Sequence, residues 1–165
     1  MQDSPSLCIV DANILIDLHV GGLLGEFFRL PFRFVAPDVI VVELQEPDGE
    51  VLMEYGLQSE TLSGAQVLEV ASLLARHRRV SANDLFALVL ARTLKGTLLT
   101  GDRHLAQIAT QEGISVHGVL WVLDEMVRLE VITSDRAAQA LEQMLAWGSR
   151  LPQAECQKRL KQWRA

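Results

Sequence analysis

At 165 residues, of which 49% are hydrophobic, the chain has the length and apolar content of one ordinary domain with a substantial core. Its two cysteines, Cys8 and Cys156, lie near opposite ends of the chain and at no ligand spacing, which argues against a structural zinc site. Residues 1–6 lack the basic start of a signal peptide, and no run approaches the roughly 20 apolar residues that cross a membrane. We therefore expect a cytoplasmic protein with no membrane partner.

The formal net charge of -6 is unevenly distributed along the chain. Residues 1–60 hold eleven acidic side chains against Arg29 and Arg33, a net charge of -9, so the remaining residues sum to +3. The basic side chains gather in Arg76-His77-Arg78-Arg79, in Arg92, Lys95 and Arg103, and in Lys158, Arg159, Lys161 and Arg164. This asymmetry is compatible with metal binding beside an anionic ligand, and equally with solvated helix faces that have no partner.

Strands and helices alternate in the hydrophobic pattern of the first 117 residues. In chain order we predict a strand at 7–10 followed by a helix, helices at 22–29 and 37–46, a strand or loop at 57–62, and helices at 65–77 and 82–95. A strand at 97–100 followed by a helix, a strand at 114–117, and helices at 119–129, 134–147 and 153–163 complete the prediction. Continuous apolar strands that alternate with helices indicate an α/β fold with a parallel sheet covered on both faces.

Asp11 and Asp102 each follow a predicted strand. Both are therefore expected at the carboxyl edge of the sheet, where parallel sheets bind their ligands. Each also precedes a helix, so capping that helix is an alternative role for either residue. Asp84 lies three residues after Ser81, in a capping-box arrangement, yet it shares a helical face with apolar neighbours that point inward.

Glu43 lies within the apolar stretch 39–44 and shares a helical face with Val39 and Ile40. We expect it to face the core, where an ionised carboxylate needs a cation or strong hydrogen bonds. Two acids at strand ends together with two on core-facing helix surfaces form a combination that helix capping does not predict. Carboxylate oxygens suit Mg²⁺ or Mn²⁺, and such a site can activate water and neutralise the charge of a phosphodiester.

Four neighbouring polar residues are weaker candidates. Asn13 lies two residues after Asp11, and Thr100 two residues before Asp102, so both could orient carboxylates or serve only as turn and cap residues. Arg103 and His104 follow Asp102 directly and are candidates for RNA phosphate contact. A solvated first helical turn explains them equally well.

Four segments resemble the PIN-domain family, especially the prokaryotic ribonucleases of the VapC toxin type. The segments are Val10-Asp11-Ala12-Asn13-Ile14-Leu15-Ile16-Asp17, Val42-Glu43-Leu44, Ser81-Ala82-Asn83-Asp84-Leu85 and Leu99-Thr100-Gly101-Asp102-Arg103. They occur in the family's order within residues 7–117, and the first and last are the more specific. The resemblance implies a three-layer α/β/α fold in which the metal ligands are Asp11, Glu43, Asp84 and Asp102, supported by Thr100. It also implies metal-dependent hydrolysis of RNA.

On this basis we assign residues 1–130 to a PIN-like nuclease domain and residues 131–165 to a helical C-terminal extension packed on or near it. The extension exceeds a minimal PIN domain and resembles the longer tails of some bacterial and archaeal relatives. The resemblance further implies RNA as substrate, and a small antitoxin and a second copy of the chain as candidate protein partners.

Two alternatives to a nuclease belong to other classes. The first is a PIN-like module that no longer cleaves and acts through RNA or protein binding. The second is a doubly wound domain such as a phosphoacceptor receiver or nucleotide binder. It is disfavoured because the chain lacks a phosphate-binding glycine loop and the paired acids of a receiver.

Overall fold

A five-stranded parallel sheet forms the centre of this computed structural model, which describes residues 6–165. Residues 1–5, on which the expectation about a signal peptide partly rests, lie outside the described range. The strands are β1 (Ser6–Val10), β2 (Phe32–Pro37), β3 (Gln58–Glu60), β4 (Thr97–Leu99) and β5 (Val116–His117), in the spatial order β3-β2-β1-β4-β5. All neighbouring pairs are parallel, which confirms the predicted sheet.

Helices cover both faces of the sheet. They are α1 (Ala12–Val20), α2 (Leu24–Phe27), α3 (Asp38–Glu43), α4 (Gly49–Tyr55), α5 (Gly64–Arg76), α6 (Ala82–Leu94), α7 (Arg103–Gln111), α8 (Val119–Arg128), α9 (Ser134–Trp147) and α10 (Gln153–Trp163). No helix within residues 6–165 is both long and apolar enough to cross a membrane.

The central strand β1 is buried on both faces, and its alternating side chains enter two different cores. Cys8 and Val10 pack with α1, α8, α9 and α10, whereas Ile9 packs on the opposite face with α5, α6 and α7. Such two-sided burial explains why residues 7–10 form a continuous apolar run rather than an alternating one. The result is the three-layer α/β/α architecture that the sequence predicted.

Two elements were not predicted from the sequence. Strand β2 carries the exposed Arg33 between two phenylalanines and ends at Pro37. Its apolar run is therefore interrupted near the start and ended by a proline. Helix α4 is short and mostly exposed, but Asp48 caps it by accepting a hydrogen bond from the Glu50 N–H at 2.7 Å. Strand β2 therefore depends on its neighbours β1 and β3, whereas α4 begins at a cap that lies within its own local sequence.

Several predicted boundaries also change. The helix predicted at 37–46 is limited to α3 because Pro37 belongs to β2 and the chain becomes extended at Leu44. The helix predicted at 22–29 is limited to α2, and the segment 57–62, which could have been strand or loop, contains β3. These shifts leave the order of the larger elements as predicted.

Helix α9 packs closely on the end of α1. A Cβ atom placed on Gly21 would lie 2.8 Å from the Met144 Cε and 3.2 Å from the Ala140 Cβ, so any larger residue there would force the Met144 side chain to shift. The Arg136 guanidinium donates to the Gly21 carbonyl at 2.9 Å, and the Ser149 hydroxyl donates to an Asp17 carboxylate oxygen at 2.7 Å. Helices α9 and α10 therefore share a hydrophobic core with β1, while the boundary at residue 130 stays a prediction.

We predict that Met144→Ala lowers the free energy of unfolding by about 2–5 kcal/mol, because it leaves a cavity between α9 and Gly21. Trp147→Ala on the same helix is the matched control, since that side chain is 64% exposed. Urea unfolding monitored by circular dichroism measures both. Equal losses in the two variants would contradict the packing of α9 on α1.

Candidate active site

Asp11 lies at the carboxyl end of β1 and is only 2% exposed. Its backbone N–H donates to the Leu99 carbonyl at 2.9 Å, which continues the pairing of β1 with β4. Its Oδ1 accepts a hydrogen bond from the Ala12 N–H at 2.8 Å, so Asp11 is also the N-cap of α1. The capping and site interpretations of this residue are therefore compatible.

Thr100 joins the ends of the two central strands. Its hydroxyl donates to the Asp11 Oδ2 at 2.8 Å and accepts from the Asp102 N–H at 3.1 Å. Within residues 6–165, Asp11 and Thr100 are the polar or charged residues that are buried. A buried carboxylate is therefore held in place by a buried hydroxyl 89 residues away in the sequence.

Burial raises the pKa of Asp11 from 3.8 to about 6, because desolvation disfavours the charged carboxylate. The nearby charges of Asp84 and Asp102 raise this pKa further, whereas the hydrogen bonds from Thr100 and Ala12 lower it. The carboxylates of Asp84 on α6 and of Asp102 at the β4–α7 junction are therefore both close enough to act on the Asp11 carboxylate. The expected convergence at the carboxyl edge of the sheet is present.

Asp84 and Asp102 both cap helices with one carboxylate oxygen. The Asp84 Oδ2 accepts from the Ser81 N–H at 2.9 Å, while the Ser81 hydroxyl accepts from the Asp84 N–H at 3.1 Å, which forms the predicted capping box. The Asp102 Oδ1 accepts from the Leu105 N–H at 2.8 Å at the start of α7. Both side chains are half-buried, and each cap occupies only one of the two oxygens.

Glu43 is exposed, so the expectation that it faces the core is wrong. Helix α3 has only six residues, and Ile40 and Val41 face inward while Val42 and Glu43 face solvent. The Glu43 Oε2 instead accepts a hydrogen bond from the Asn83 side-chain amide, beside Asp84. The fold thus brings Glu43 to the start of α6 through this hydrogen bond and not through burial in the core.

Asn83 is the residue of this site that sequence reasoning did not identify. Its partner Glu43 lies 40 residues away, so no local periodicity connects them.

The other weak candidates make fewer contacts. Asn13 is exposed on α1, Arg103 is exposed in the first turn of α7, and His104 beside it is half-buried.

The chemistry of the four acidic side chains, Asp11, Glu43, Asp84 and Asp102, fits a hard divalent cation. They supply only oxygen donors, and the Asp11 carboxylate is buried close to two like charges that a cation would neutralise. Within residues 6–165, however, no three Asp, Glu, His or Cys side chains already lie in a group that could hold a metal ion. The cap bonds of Asp84 and Asp102 each use one carboxylate oxygen, so the second oxygen of each is the one available to a cation.

Residues 7–165 match the family DUF3368, which is described as a PIN domain. Among solved structures, a PilT N-terminus domain protein from the hyperthermophilic archaeon Sulfolobus solfataricus P2 is similar, with a TM-score of 0.52. The two chains are 14% identical, and the similarity covers 72% of this chain and 91% of that chain, which supports the fold alone. No curated protein matches this chain significantly.

We predict that Asp11→Asn raises the free energy of unfolding at pH 7.5, with a chelator present, by about 1–3 kcal/mol. The folded pKa of about 6 exceeds the ordinary value of 3.8, so ionised Asp11 destabilises the fold above pH 6. As the pH falls from about 6 toward 4, the folded state retains a proton that the unfolded state releases, and the advantage of Asn shrinks.

Urea unfolding at several pH values, monitored by circular dichroism, measures this difference. The exposed Asp135→Asn, in the first turn of α9, is the control and should show no such gain. If the gain in unfolding free energy of Asp11→Asn over wild type stayed constant from pH 4 to pH 8, desolvation of the Asp11 charge would not be the cause of that gain.

Proposed function

Because the chain belongs to the DUF3368 family of PIN domains, and PIN domains are commonly nucleases, we propose that it is a Mg²⁺- or Mn²⁺-dependent endoribonuclease. The observation that carries the proposal is the burial of Asp11 among like charges. A carboxylate kept in this environment destabilises the fold unless a cation joins it. Such a costly arrangement is typical of a functional site.

We assign the metal-ligand role to Asp11, Glu43, Asp84 and Asp102. Thr100 positions the Asp11 carboxylate through its hydroxyl, and Asn83 positions Glu43 through its amide. We assign contact with an RNA phosphate to Arg103 and His104, which lie in the first turn of α7 directly after Asp102. A divalent cation, when bound, supplies charge neutralisation for the phosphodiester and activation of water.

A non-catalytic module that binds RNA or protein is the second candidate function. The observation that favours it is the capping role of Asp84 and Asp102, which leaves no preassembled group of ligands in the described chain. The two proposals differ in outcome. Thermal stabilisation by Mn²⁺ without any cleavage would support the binding module.

The toxin role, a small antitoxin partner and a homodimer remain proposals that rest on the resemblance to VapC-type ribonucleases. A nuclease of this kind needs an inhibitor only if its cleavage harms the cell. Growth arrest on expression, relieved by co-expression of an adjacent small gene product, would support the toxin role.

We predict that purified protein cleaves labelled single-stranded RNA with Mg²⁺ or Mn²⁺ and not with EDTA. Asp11→Asn and Asp102→Asn should each reduce cleavage activity by more than roughly 10–100-fold, which is the loss expected when a residue that only orients a metal ligand is removed. Asp135→Asn, an exposed acid in the first turn of α9, is the matched control and should retain full activity. Metal-dependent cleavage that survives both site substitutions would refute the proposed site.

We predict that Thr100→Val reduces kcat/KM by about 10–100-fold, whereas Thr100→Ser, which keeps the hydroxyl, stays within a few-fold of wild type. Because the Thr100 hydroxyl lowers the Asp11 pKa, its loss should also move the acidic limb of the pH profile to higher pH. A profile that falls in amplitude without any shift would indicate that Thr100 acts only on packing.

A further inference from the structure

Three exposed arginines lie at the last residue of α5 and in its connection to α6, in the segment 76–79, which we name the basic loop. Arg76, Arg78 and Arg79 are all exposed. Within residues 6–165 none of the three forms an ion pair. Elsewhere Arg92 and Arg159 are each held by two carboxylates. The basic loop therefore carries free positive charge on a chain whose net charge is negative.

The fold places the basic loop beside the acidic residues. Helices α5 and α6 are antiparallel, since the Gln66 amide near the start of α5 donates to the Thr93 hydroxyl near the end of α6 at 3.1 Å. The end of α5 consequently lies at the start of α6. Val80 is buried and anchors the loop, and Ser81 next to it is the cap that bonds Asp84. Arg79 thus lies two residues before Ser81, whose N–H donates to the Asp84 carboxylate.

A further positive group lies next to Asp102 in the chain. Arg103 is exposed in the first turn of α7, directly after Asp102. Asp84 and Asp102 both act on the charge of Asp11, so the starts of α6 and α7 converge on the same carboxylate. Along the chain, arginines therefore precede Asp84 and follow Asp102, the two acids that act on Asp11. A ligand with negative charges along its length matches this order of charges better than a single anion does.

We propose that Arg78 and Arg79 bind backbone phosphates of single-stranded RNA on the α6 side of the acidic residues. This inference rests on the proposed function, because it concerns how RNA lies across the same site. Guanidinium groups bind phosphate oxygens through paired, charge-assisted hydrogen bonds. Contacts to the backbone position the strand without reading its sequence. The basic loop is therefore a positioning surface that acts on RNA affinity and not on the reacting atoms.

The test measures binding of a fluorescent single-stranded RNA by anisotropy, using the full chain with Asp11→Asn so that the probe stays intact. Adding Arg78→Gln and Arg79→Gln should weaken binding about tenfold or more. The slope of log affinity against log salt should also fall by about 1.4, at roughly 0.7 for each lost phosphate contact. Arg78→Lys with Arg79→Lys keeps both charges and should preserve most of the slope.

Arg150→Gln is the matched control, because Arg150 is exposed in the α9–α10 connection, away from the basic loop in the sequence. Unchanged affinity and slope in the double Gln variant, or an equal loss in the control, would overturn the inference. The absence of RNA binding by the Asp11→Asn protein would overturn it as well. Equal competition by polyglutamate would overturn the assignment to nucleic acid.

Cleavage assays separate this inference from the proposed function. RNA cleavage by the otherwise wild-type chain that is insensitive to Arg78→Gln and Arg79→Gln would leave the nuclease standing and refute the basic loop as an RNA contact. Arginine-dependent RNA binding with no cleavage under any metal condition would instead refute the nuclease and support the basic loop of a binding module.

Discussion

The hydrogen bond from the Thr100 hydroxyl to the Asp11 carboxylate connects the two central strands of the sheet at the point where both end. It depends on the register that pairs Val10 with Leu99, because a slip of one residue would turn the Thr100 side chain to the opposite face. The same hydroxyl accepts from the Asp102 N–H and so also sets the start of α7. The pairing of β1 with β4 therefore determines where Asp11 and Asp102 lie relative to each other.

Three of the four candidate metal ligands also take part in helix caps in this protein. Asp11 and Asp102 are N-caps, and Asp84 belongs to a capping box, so each acid stabilises the start of a helix. A cap uses one carboxylate oxygen and leaves the other for a ligand. The helix starts also favour negative charge, which partly offsets the repulsion among the three carboxylates. Capping thus explains how a fold can keep several acids together before any cation is bound.

The sequence predicted the parts of the fold that local patterns determine. Apolar runs identified β1 and β4, and parallel topology then required Asp11 and Asp102 to share one edge. Strand β2 was missed because it is defined by its neighbours β1 and β3 rather than by its own pattern. Glu43 was misplaced because helical periodicity in a six-residue helix cannot decide which face is inward. Its contact with Asn83 is a tertiary interaction that only the folded chain reveals.

Net charge is a poor guide to the ligands of this protein. The first 60 residues supply all of the excess negative charge, whereas the basic loop belongs to the remainder of the chain, which sums to +3. Folding brings Asp84 at the start of α6 close to Asp11 at the end of β1, and the basic loop directly precedes α6 in the chain. Electrostatic attraction at ordinary salt acts over about 10 Å or less. An approaching polyanion therefore senses the local arrangement of arginines and acids, rather than the overall charge of -6.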